Sequence, residues 1–231
     1  MIGRGFAAAV AAAVAFSPAA SPAKPARTDW SRTVAATPEY GFRMGNPAAK
    51  IKLVEYGSLT CPHCRHFEET GFKPLADKYV RTGIVSYELR NLLLDTPDIA
   101  VSLLAHCAGP ARFFPMAQLV YATQPSWHEK LASLGSDQTA QIAKLPITQQ
   151  TVRYATVAGF PQMAARFGLT PAQSRRCLAD PAGIDRLITG TRKAADMGVT
   201  GTPTFFINGK KVDALTWEEL EPQIRRAGGG G

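Results

Sequence analysis

The segment Ile51–Cys64 reads Ile-Lys-Leu-Val-Glu-Tyr-Gly-Ser-Leu-Thr-Cys-Pro-His-Cys, and it decides which fold the chain adopts. Its first half, Ile51 to Tyr56, alternates and is apolar enough to predict a buried strand. Pro62 then stands where a helix accepts proline in its first turn, so Cys61 is predicted at the helix N-cap. Cys64 follows one turn inside the helix. The sequence therefore places a pair of cysteines where a strand passes into a helix.

The spacing of the two cysteines suits thiol–disulfide exchange. A thiolate attacks a disulfide and a thiol does not, so such a site must keep one sulfur ionised. The N–H groups and dipole of a helix N-terminus favour negative charge on Cys61 and bring such a pKa to about 3.5–7.5. Pro62 stiffens the ring that a disulfide closes, and His63 can add positive charge or an N–H group near the thiolate. We predict that Cys61 attacks and that Cys64 resolves.

The rest of the chain predicts a sheet interrupted by helices. After a second strand near Ile84–Leu89, residues 97–196 show successive helical stretches without a convincing strand. Thr204–Ile207, the turn Asn208-Gly209 and a helix from Thr216 then predict a hairpin and a terminal helix. We therefore expect a helical insertion at residues 97–196 between two parts of one α/β domain, residues 40–96 and 197–227.

The N-terminus has the plan of a secretory signal. Met-Ile-Gly-Arg-Gly precedes an apolar run from Phe6 to Phe16, which small residues and prolines follow. The run is shorter than the roughly 20 residues that span a bilayer. We interpret residues 1–23 as a signal peptide, with cleavage after Ala19 or Ala23 as open alternatives. Residues 24–39 are interpreted as a flexible lead-in and residues 228–231 as a disordered tail, and the processed protein is expected to be soluble and periplasmic.

Charge argues against one class of partner. The formal net charge is +8, carried by scattered basic doublets such as Arg175-Arg176 and Lys210-Lys211. No aromatic residues alternate with these doublets in a way that would stack on bases. A solvated surface explains them, and no nucleic acid partner is expected.

Two motifs together resemble a known family. Leu53 to Cys64 is followed far downstream by Val199-Thr200-Gly201-Thr202-Pro203-Thr204-Phe205-Phe206, and the pair of motifs resembles the DsbA-like branch of the thioredoxin superfamily. The resemblance extends over roughly Tyr40 to Arg226. It implies an α/β, thioredoxin-like fold with an inserted all-helical domain.

The resemblance also implies three site residues. It implies that Pro203 is a cis-proline facing the cysteines, which would turn the backbone of Thr202 outward beside Cys61 to pair with a substrate strand. The alternative is an ordinary trans proline that begins an edge strand. Glu55 is similar to the buried acid that this family keeps beneath its cysteine pair, where it could exchange a proton with Cys64. The alternative is a glutamate at a strand end that reaches solvent.

Three functions fit these residues. The leading one is oxidation of reduced exported proteins through Cys61 and Cys64, with no cofactor and with reoxidation by a membrane partner of the DsbB type, which the resemblance implies. The same site could instead reduce or isomerise disulfides. A metal-binding module is the third, but Cys61 and Cys64 would need two further ligands, and we predict no metal.

The remaining cysteines predict a structural disulfide. Four cysteines in an exported chain make two pairs, and Cys61 with Cys64 accounts for one. Cys107 and Cys177, both in the predicted insertion, are expected to form the other. The alternative is two buried free cysteines that act as small apolar residues.

Overall fold

The computed structural model describes residues 1–3, 5 and 28–229. Most of the predicted signal peptide therefore lies outside the described residues, as do residues 24–27 of the predicted lead-in and residues 230–231 of the predicted tail. Among the described residues, no helix is long and apolar enough to cross a membrane.

Six strands form one mixed sheet in the order β1-β2-β4-β3-β5-β6. The strands are β1 (Val34–Ala36), β2 (Phe42–Met44), β3 (Ile51–Gly57), β4 (Val85–Asn91), β5 (Thr204–Ile207) and β6 (Lys210–Val212). The two longest, β3 and β4, are parallel neighbours, whereas β3 and β5 are antiparallel. Strand β3, which leads to Cys61, is therefore paired on both sides.

Eleven α-helices surround the sheet over the described residues. They are α1 (Pro62–Phe67), α2 (Lys73–Leu75), α3 (Thr96–Cys107), α4 (Pro110–Ala122), α5 (Gln124–Ala132), α6 (Ser136–Ala143), α7 (Ile147–Ala158), α8 (Phe160–Ala165), α9 (Pro171–Leu178), α10 (Pro181–Asp196) and α11 (Trp217–Ile224). Wider π-helical turns at Glu68–Phe72 and Ala76–Val80 flank α2, so the chain is helical from Pro62 to Val80. Every described element between β4 and β5 is a helix.

The inserted helices share a core with the sheet. Phe113 of α4 stacks on Phe42 of β2 with ring centroids 4.1 Å apart. The neighbouring ring of Phe114 lies against Phe72 and against Tyr87 of β4. All of these rings are buried in one apolar cluster that extends to α1 and α11. The predicted thioredoxin-like fold with an inserted all-helical domain is confirmed, and the insertion packs directly on the sheet.

Ordered structure begins earlier than the sequence predicted. We expected a flexible lead-in up to residue 39, but Trp30–Arg32 forms a 3-10 turn and β1 pairs antiparallel with β2. Both strands have three residues, which is too short for a recognisable alternation of apolar and polar residues. Their stability comes from pairing with each other and with β4, and such long-range pairing leaves no local signal.

Cys107 and Cys177 are joined in the structure. Their sulfur atoms are 2.01 Å apart, and the bond connects the last residue of α3 to α9. Cys107 is exposed and Cys177 is half-buried. The bond closes a loop with a sequence separation of 70 residues within the helical region.

We predict that this disulfide stabilises the chain. Closing a loop of this length restricts the unfolded state by about 4 kcal/mol on the chain-entropy estimate, so Cys107→Ser combined with Cys177→Ser should lower the free energy of unfolding by up to that amount. Urea unfolding measures the change. Alkylation after mild reduction and denaturation should modify two thiols per chain, and four modified thiols would contradict the prediction.

Candidate active site

Cys61 lies at the N-terminus of α1, where a β strand ends. Its backbone is extended (φ −78°, ψ 127°), and Pro62 is the first helical residue. Pro62 is tolerated there because the first helical N–H group has no partner within the helix. Cys61 and Cys64 are both thiols in this structure and are almost fully buried, with 4% and 1% of their surface exposed.

The environment lowers the pKa of Cys61 to about 5. The largest cause is a hydrogen bond from the Cys64 thiol, which stabilises the thiolate against the opposing effect of burial. Thr202 and the backbone N–H groups of Cys64 and His63 lower the pKa further. The Thr202 hydroxyl is buried and makes no hydrogen bond of ordinary geometry within residues 28–229, which leaves it free to stabilise negative charge on the nearby Cys61 sulfur. Cys61 is therefore a thiolate at neutral pH.

Cys64 has the opposite character. Its pKa is raised well above the usual value, first by burial and then by the hydrogen bond that its thiol donates to Cys61. Negative charge on Glu55 and on Cys61 raises it further. One sulfur of the pair is thus a stable anion and the other a stable thiol, and this asymmetry distinguishes an attacking sulfur from a resolving one.

Glu55 is buried beneath the cysteine pair. Only 2% of its surface is exposed, and the Tyr87 hydroxyl donates a hydrogen bond of 2.6 Å to its Oε2 atom. Burial raises the pKa of Glu55 to about 7, although the Tyr87 hydrogen bond lowers it. A carboxyl group with this pKa can take up or release a proton near neutral pH.

Residues Thr202 and Pro203 lie beside Cys61. The Thr202–Pro203 peptide bond is cis, and Thr204 begins β5, which pairs with β3. The carbonyl oxygen of Thr202 lies 3.4 Å from the Cys61 sulfur and accepts a hydrogen bond from it when Cys61 is protonated. Strand β5 is therefore the element that positions this loop. The side chains of Pro62 and His63 are exposed at the same surface.

Sequence reasoning missed two residues of this site. Glu68 lies one helical turn after Cys64, and its pKa is raised to about 8, first by burial and then by the charge of Glu55. The four-residue spacing from Cys64 is a local signal that would have identified it. Tyr87 had no such signal, because only the pairing of β3 with β4 brings it to Glu55.

The described residues show no group of three or more histidine, cysteine, aspartate or glutamate side chains that could hold a metal ion. Two of the four cysteines are joined to each other and supply no free thiolate. The remaining two sulfurs, with a buried acid and a cis-proline loop, form an arrangement suited to thiol–disulfide exchange.

A family model described as Thioredoxin matches residues 37–226. Among curated proteins, one from Rickettsia bellii named "Putative protein-disulfide oxidoreductase" is 28% identical over 188 residues. The aligned region covers 80% of this chain but only 63% of that relative. A Rickettsia typhi protein with a similar name is 26% identical over the same length.

Two solved structures are also similar. A protein-disulfide isomerase from Novosphingobium aromaticivorans is 33% identical, with a TM-score of 0.77, and the match covers 81% of this chain and 97% of that one. The alpha-DsbA1 protein of Wolbachia pipientis is 25% identical, with a TM-score of 0.61 and coverage of 80% and 89%.

We predict that the reactivity of Cys61 follows its lowered pKa. In the reduced protein, alkylation by iodoacetamide should rise through about pH 5, whereas an ordinary cysteine titrates near pH 8.5. Because the folded-state pKa is the lower one, the thiolate stabilises the reduced fold fully above about pH 8.5, and this contribution is lost as pH falls through about 5. Cys64→Ala should raise the midpoint, since it removes the largest stabilising hydrogen bond. A wild-type midpoint above pH 7 would overturn the assignment.

Proposed function

Because this chain belongs to the Thioredoxin family, with DsbA-like proteins among its relatives, we propose that it is a protein thiol:disulfide oxidoreductase that introduces disulfides into exported proteins. The lowered pKa of Cys61 carries the proposal. A stable thiolate favours the dithiol form of the protein, and a stabilised dithiol makes the corresponding disulfide a stronger oxidant. The pKa of about 5 lies between about 7 for thioredoxin and about 3.5 for DsbA.

The reaction proceeds by two exchanges. A substrate thiolate attacks Cys61 of the Cys61–Cys64 disulfide, which forms a mixed disulfide and releases Cys64. A second substrate thiolate then attacks the substrate sulfur of the mixed disulfide, which forms the substrate disulfide and releases Cys61. Two electrons pass from the substrate to the chain, which ends as a dithiol. Cys61 departs readily because a low-pKa thiolate is a good leaving group.

Glu55 serves the first exchange as a proton donor. The Cys64 sulfur is buried and strongly favours its protonated form, so it needs a proton as it leaves. Glu55 is the buried acid whose charge acts on Cys64, and its pKa of about 7 allows it to supply that proton. In the reverse direction, the same carboxylate accepts the proton when Cys64 attacks.

Thr202 and Pro203 hold the substrate at Cys61. The cis bond leaves the Thr202 carbonyl within hydrogen-bond reach of the Cys61 sulfur. A substrate segment whose cysteine reaches Cys61 therefore lies against the Thr202 backbone, where main-chain hydrogen bonds can hold it as an added strand. His63 is exposed at the rim and contributes its backbone N–H group to the thiolate.

The site of action is the periplasm, where a signal peptide at residues 1–23 would direct the chain. The substrates are exported proteins that arrive with reduced thiols. After each turnover the dithiol is reoxidised by a membrane partner of the DsbB type. No further cofactor takes part in either exchange, since both bonds form and break between sulfur atoms.

Isomerisation is the second candidate function. It is favoured by the 33% identity to the Novosphingobium structure, whose title describes a protein-disulfide isomerase. An oxidase starts from the disulfide form and an isomerase from the dithiol form. Equilibration against glutathione buffers separates the two. The proposal expects a potential near the roughly −120 mV of DsbA, whereas a value near the roughly −180 mV of protein disulfide isomerase would favour isomerisation and one near the roughly −270 mV of thioredoxin would favour a reductant.

We predict that Cys64→Ser accumulates mixed disulfides through Cys61. Without Cys64 no internal thiolate reverses the bond, so Cys61 remains joined to substrate in cell extracts. Non-reducing electrophoresis followed by reduction detects the adducts. The matched control is Cys61→Ser, which leaves the buried high-pKa sulfur and should trap few partners. Equal trapping by both variants would show that the roles are wrongly assigned.

We predict that Glu55→Gln slows reduction of the Cys61–Cys64 disulfide by dithiothreitol about 100-fold near neutral pH, a typical loss for a general acid. Tyr87→Phe is the control, because it keeps the carboxyl group but removes the hydrogen bond that lowers its pKa. In Tyr87→Phe, reduction by dithiothreitol should be as fast as in the wild type at low pH. The pH at which the contribution of Glu55 disappears should be higher. Stopped-flow fluorescence measures both. If Glu55→Gln leaves the rate and its pH dependence unchanged, Glu55 is not the proton donor.

A further inference from the structure

The four residues from Ser58 to Cys61, here called the Cys61 turn, join β3 to α1. All four are buried, and Ser58 and Leu59 have no exposed surface. Inside the turn, the backbone N–H of Cys61 donates to the carbonyl of Ser58 at 3.2 Å, and the N–H of Thr60 donates to Oγ of Ser58 at 3.1 Å. The position of the Cys61 sulfur at the end of α1 follows from the position of this turn.

Three inserted helices contact the Cys61 turn through polar side chains. The Asp98 carboxylate of α3 accepts a hydrogen bond of 3.2 Å from the backbone N–H of Leu59. The Tyr121 hydroxyl of α4 donates to the carbonyl of Ser58 at 3.0 Å. The Gln124 amide of α5 donates to the carbonyl of Cys61 at 3.3 Å. The insertion thus supplies the partner of the buried Leu59 N–H and adds second hydrogen bonds to the carbonyls of Ser58 and Cys61, which the N–H groups of Cys61 and Arg65 already reach.

Asp98 is the most constrained of these three residues. It has no exposed surface, and its oxygens also accept hydrogen bonds from the Leu94 N–H at 3.2 Å and the Ser102 hydroxyl at 3.3 Å. Burial raises the pKa of its carboxyl to about 7. A carboxyl group in an apolar interior is costly, and it is tolerated where its hydrogen bonds hold the chain in one arrangement.

A polar chain continues from Asp98 away from the active site. The amide of Asn91 donates to Oγ of Ser102 at 3.0 Å, and His106 bonds to Oδ1 of Asn91 at 2.9 Å. His106 is held between the rings of Tyr40 and Phe42 and is followed by the disulfide residue Cys107. The side chain of Asp98 is therefore held, on the side away from the active site, by a chain of hydrogen bonds through Ser102, Asn91 and His106.

We propose that Asp98 is a positioning residue for Cys61, through which the inserted domain sets the acidity of the attacking thiol. Its bond to Leu59 holds the Cys61 turn where the first N–H groups of α1 and the Cys64 thiol reach the Cys61 sulfur. When that bond is lost, the turn relaxes and the sulfur loses part of this stabilisation. The proposal rests on the proposed function only for its redox readout, because the acidity of Cys61 is measurable whatever the chain oxidises.

If Asp98 acts by positioning the turn, its replacement changes the pKa of Cys61 in the opposite direction from that expected if it acts by its charge. The pKa of Asp98 is about 7, so its carboxyl is largely protonated near pH 5, where Cys61 titrates, and its charge contributes little to that midpoint. Any remaining effect of its negative charge would disfavour the thiolate, so that neutral replacements would lower the pKa of Cys61. If Asp98 acts through position, Asp98→Ala raises that pKa because the Leu59 N–H loses its acceptor. Asp98→Asn keeps an oxygen for Leu59 and should stay near the wild-type value.

The test titrates the Cys61 thiolate by its absorbance near 240 nm in the full chain. Asp98→Ala should raise the midpoint by about one pH unit, which is a tenfold change in the ionisation constant. It should also lower the equilibrium constant for oxidation of glutathione about tenfold. Asp98→Asn should restore most of both values. Thiolate absorbance reports Cys61 even if the chain proves to be an isomerase, so failure of the function and of this proposal are distinguishable.

Thr151→Ala is the matched control. The Thr151 hydroxyl of α7 is fully buried and donates to the carbonyl of Leu178 at 2.6 Å, within the insertion but away from the Cys61 turn. This variant should lower Tm without moving the Cys61 midpoint. Where Asp98→Ala does not fold, Asp98→Ser takes its place, since it removes the carboxylate oxygen that accepts from the Leu59 N–H but keeps a polar group in the interior. A folded alanine or serine variant with the wild-type midpoint overturns the proposal, and so does a lowered midpoint.

Discussion

The active site depends on keeping the negative charge of the Cys61 thiolate stable although water hardly reaches it. The Cys61 sulfur is almost fully buried, and burial alone would protonate it. The opposing stabilisation comes from short-range donors: the Cys64 thiol, the Thr202 hydroxyl and the first N–H groups of α1. Each donor comes from a different feature, namely the helix interior, the cis-proline loop and the helix end. These three features must meet within hydrogen-bond distance of one atom, and the order of strands in the sheet is what makes them meet.

Strand β3 carries the buried acid Glu55 and leads directly to the attacking cysteine, Cys61. Strand β3 ends in the Cys61 turn and carries Glu55 on the face that packs under the cysteines, while Val54 and Tyr56 face the opposite side against α10. Because side chains alternate along a strand, one face of β3 carries the acid beneath the cysteines and the other face packs against α10. Because β3 is paired on both sides, neither Glu55 nor the turn can shift without disturbing its neighbours.

Sequence reasoning succeeded where the signal was local. Cys-Pro-His-Cys after an apolar strand indicates a helix N-terminus with two thiols. Together with Gly-Thr-Pro-Thr-Phe it resembles the DsbA-like branch of the thioredoxin superfamily, and that resemblance implied the fold class and the loop that faces the cysteines. Sequence reasoning failed where partners are distant in the chain. Strand β1 lies in the segment that was predicted to be a flexible lead-in because it is rich in proline, alanine, serine and threonine. Tyr87 and Asp98 carry no signal in the sequence that marks them as parts of the site. Only the register of β3 against β4 and the packing of α3 give them roles, and neither is encoded within a short window.

Strand β5 lies inside the sheet, although the chain reaches it after all the inserted helices. Its partner β3 comes more than a hundred residues earlier, since Glu55 pairs with Phe205. A ribosome delivers the chain from its N-terminus, so Cys61 emerges long before the loop and strand that complete its surroundings. Until then Cys61 lacks the Thr202 side chain, one of the groups that lower its pKa, and β3 lacks one of its two partners in the sheet. The complete set of groups around Cys61 therefore comes together only after β5 has docked, late in the synthesis of the chain.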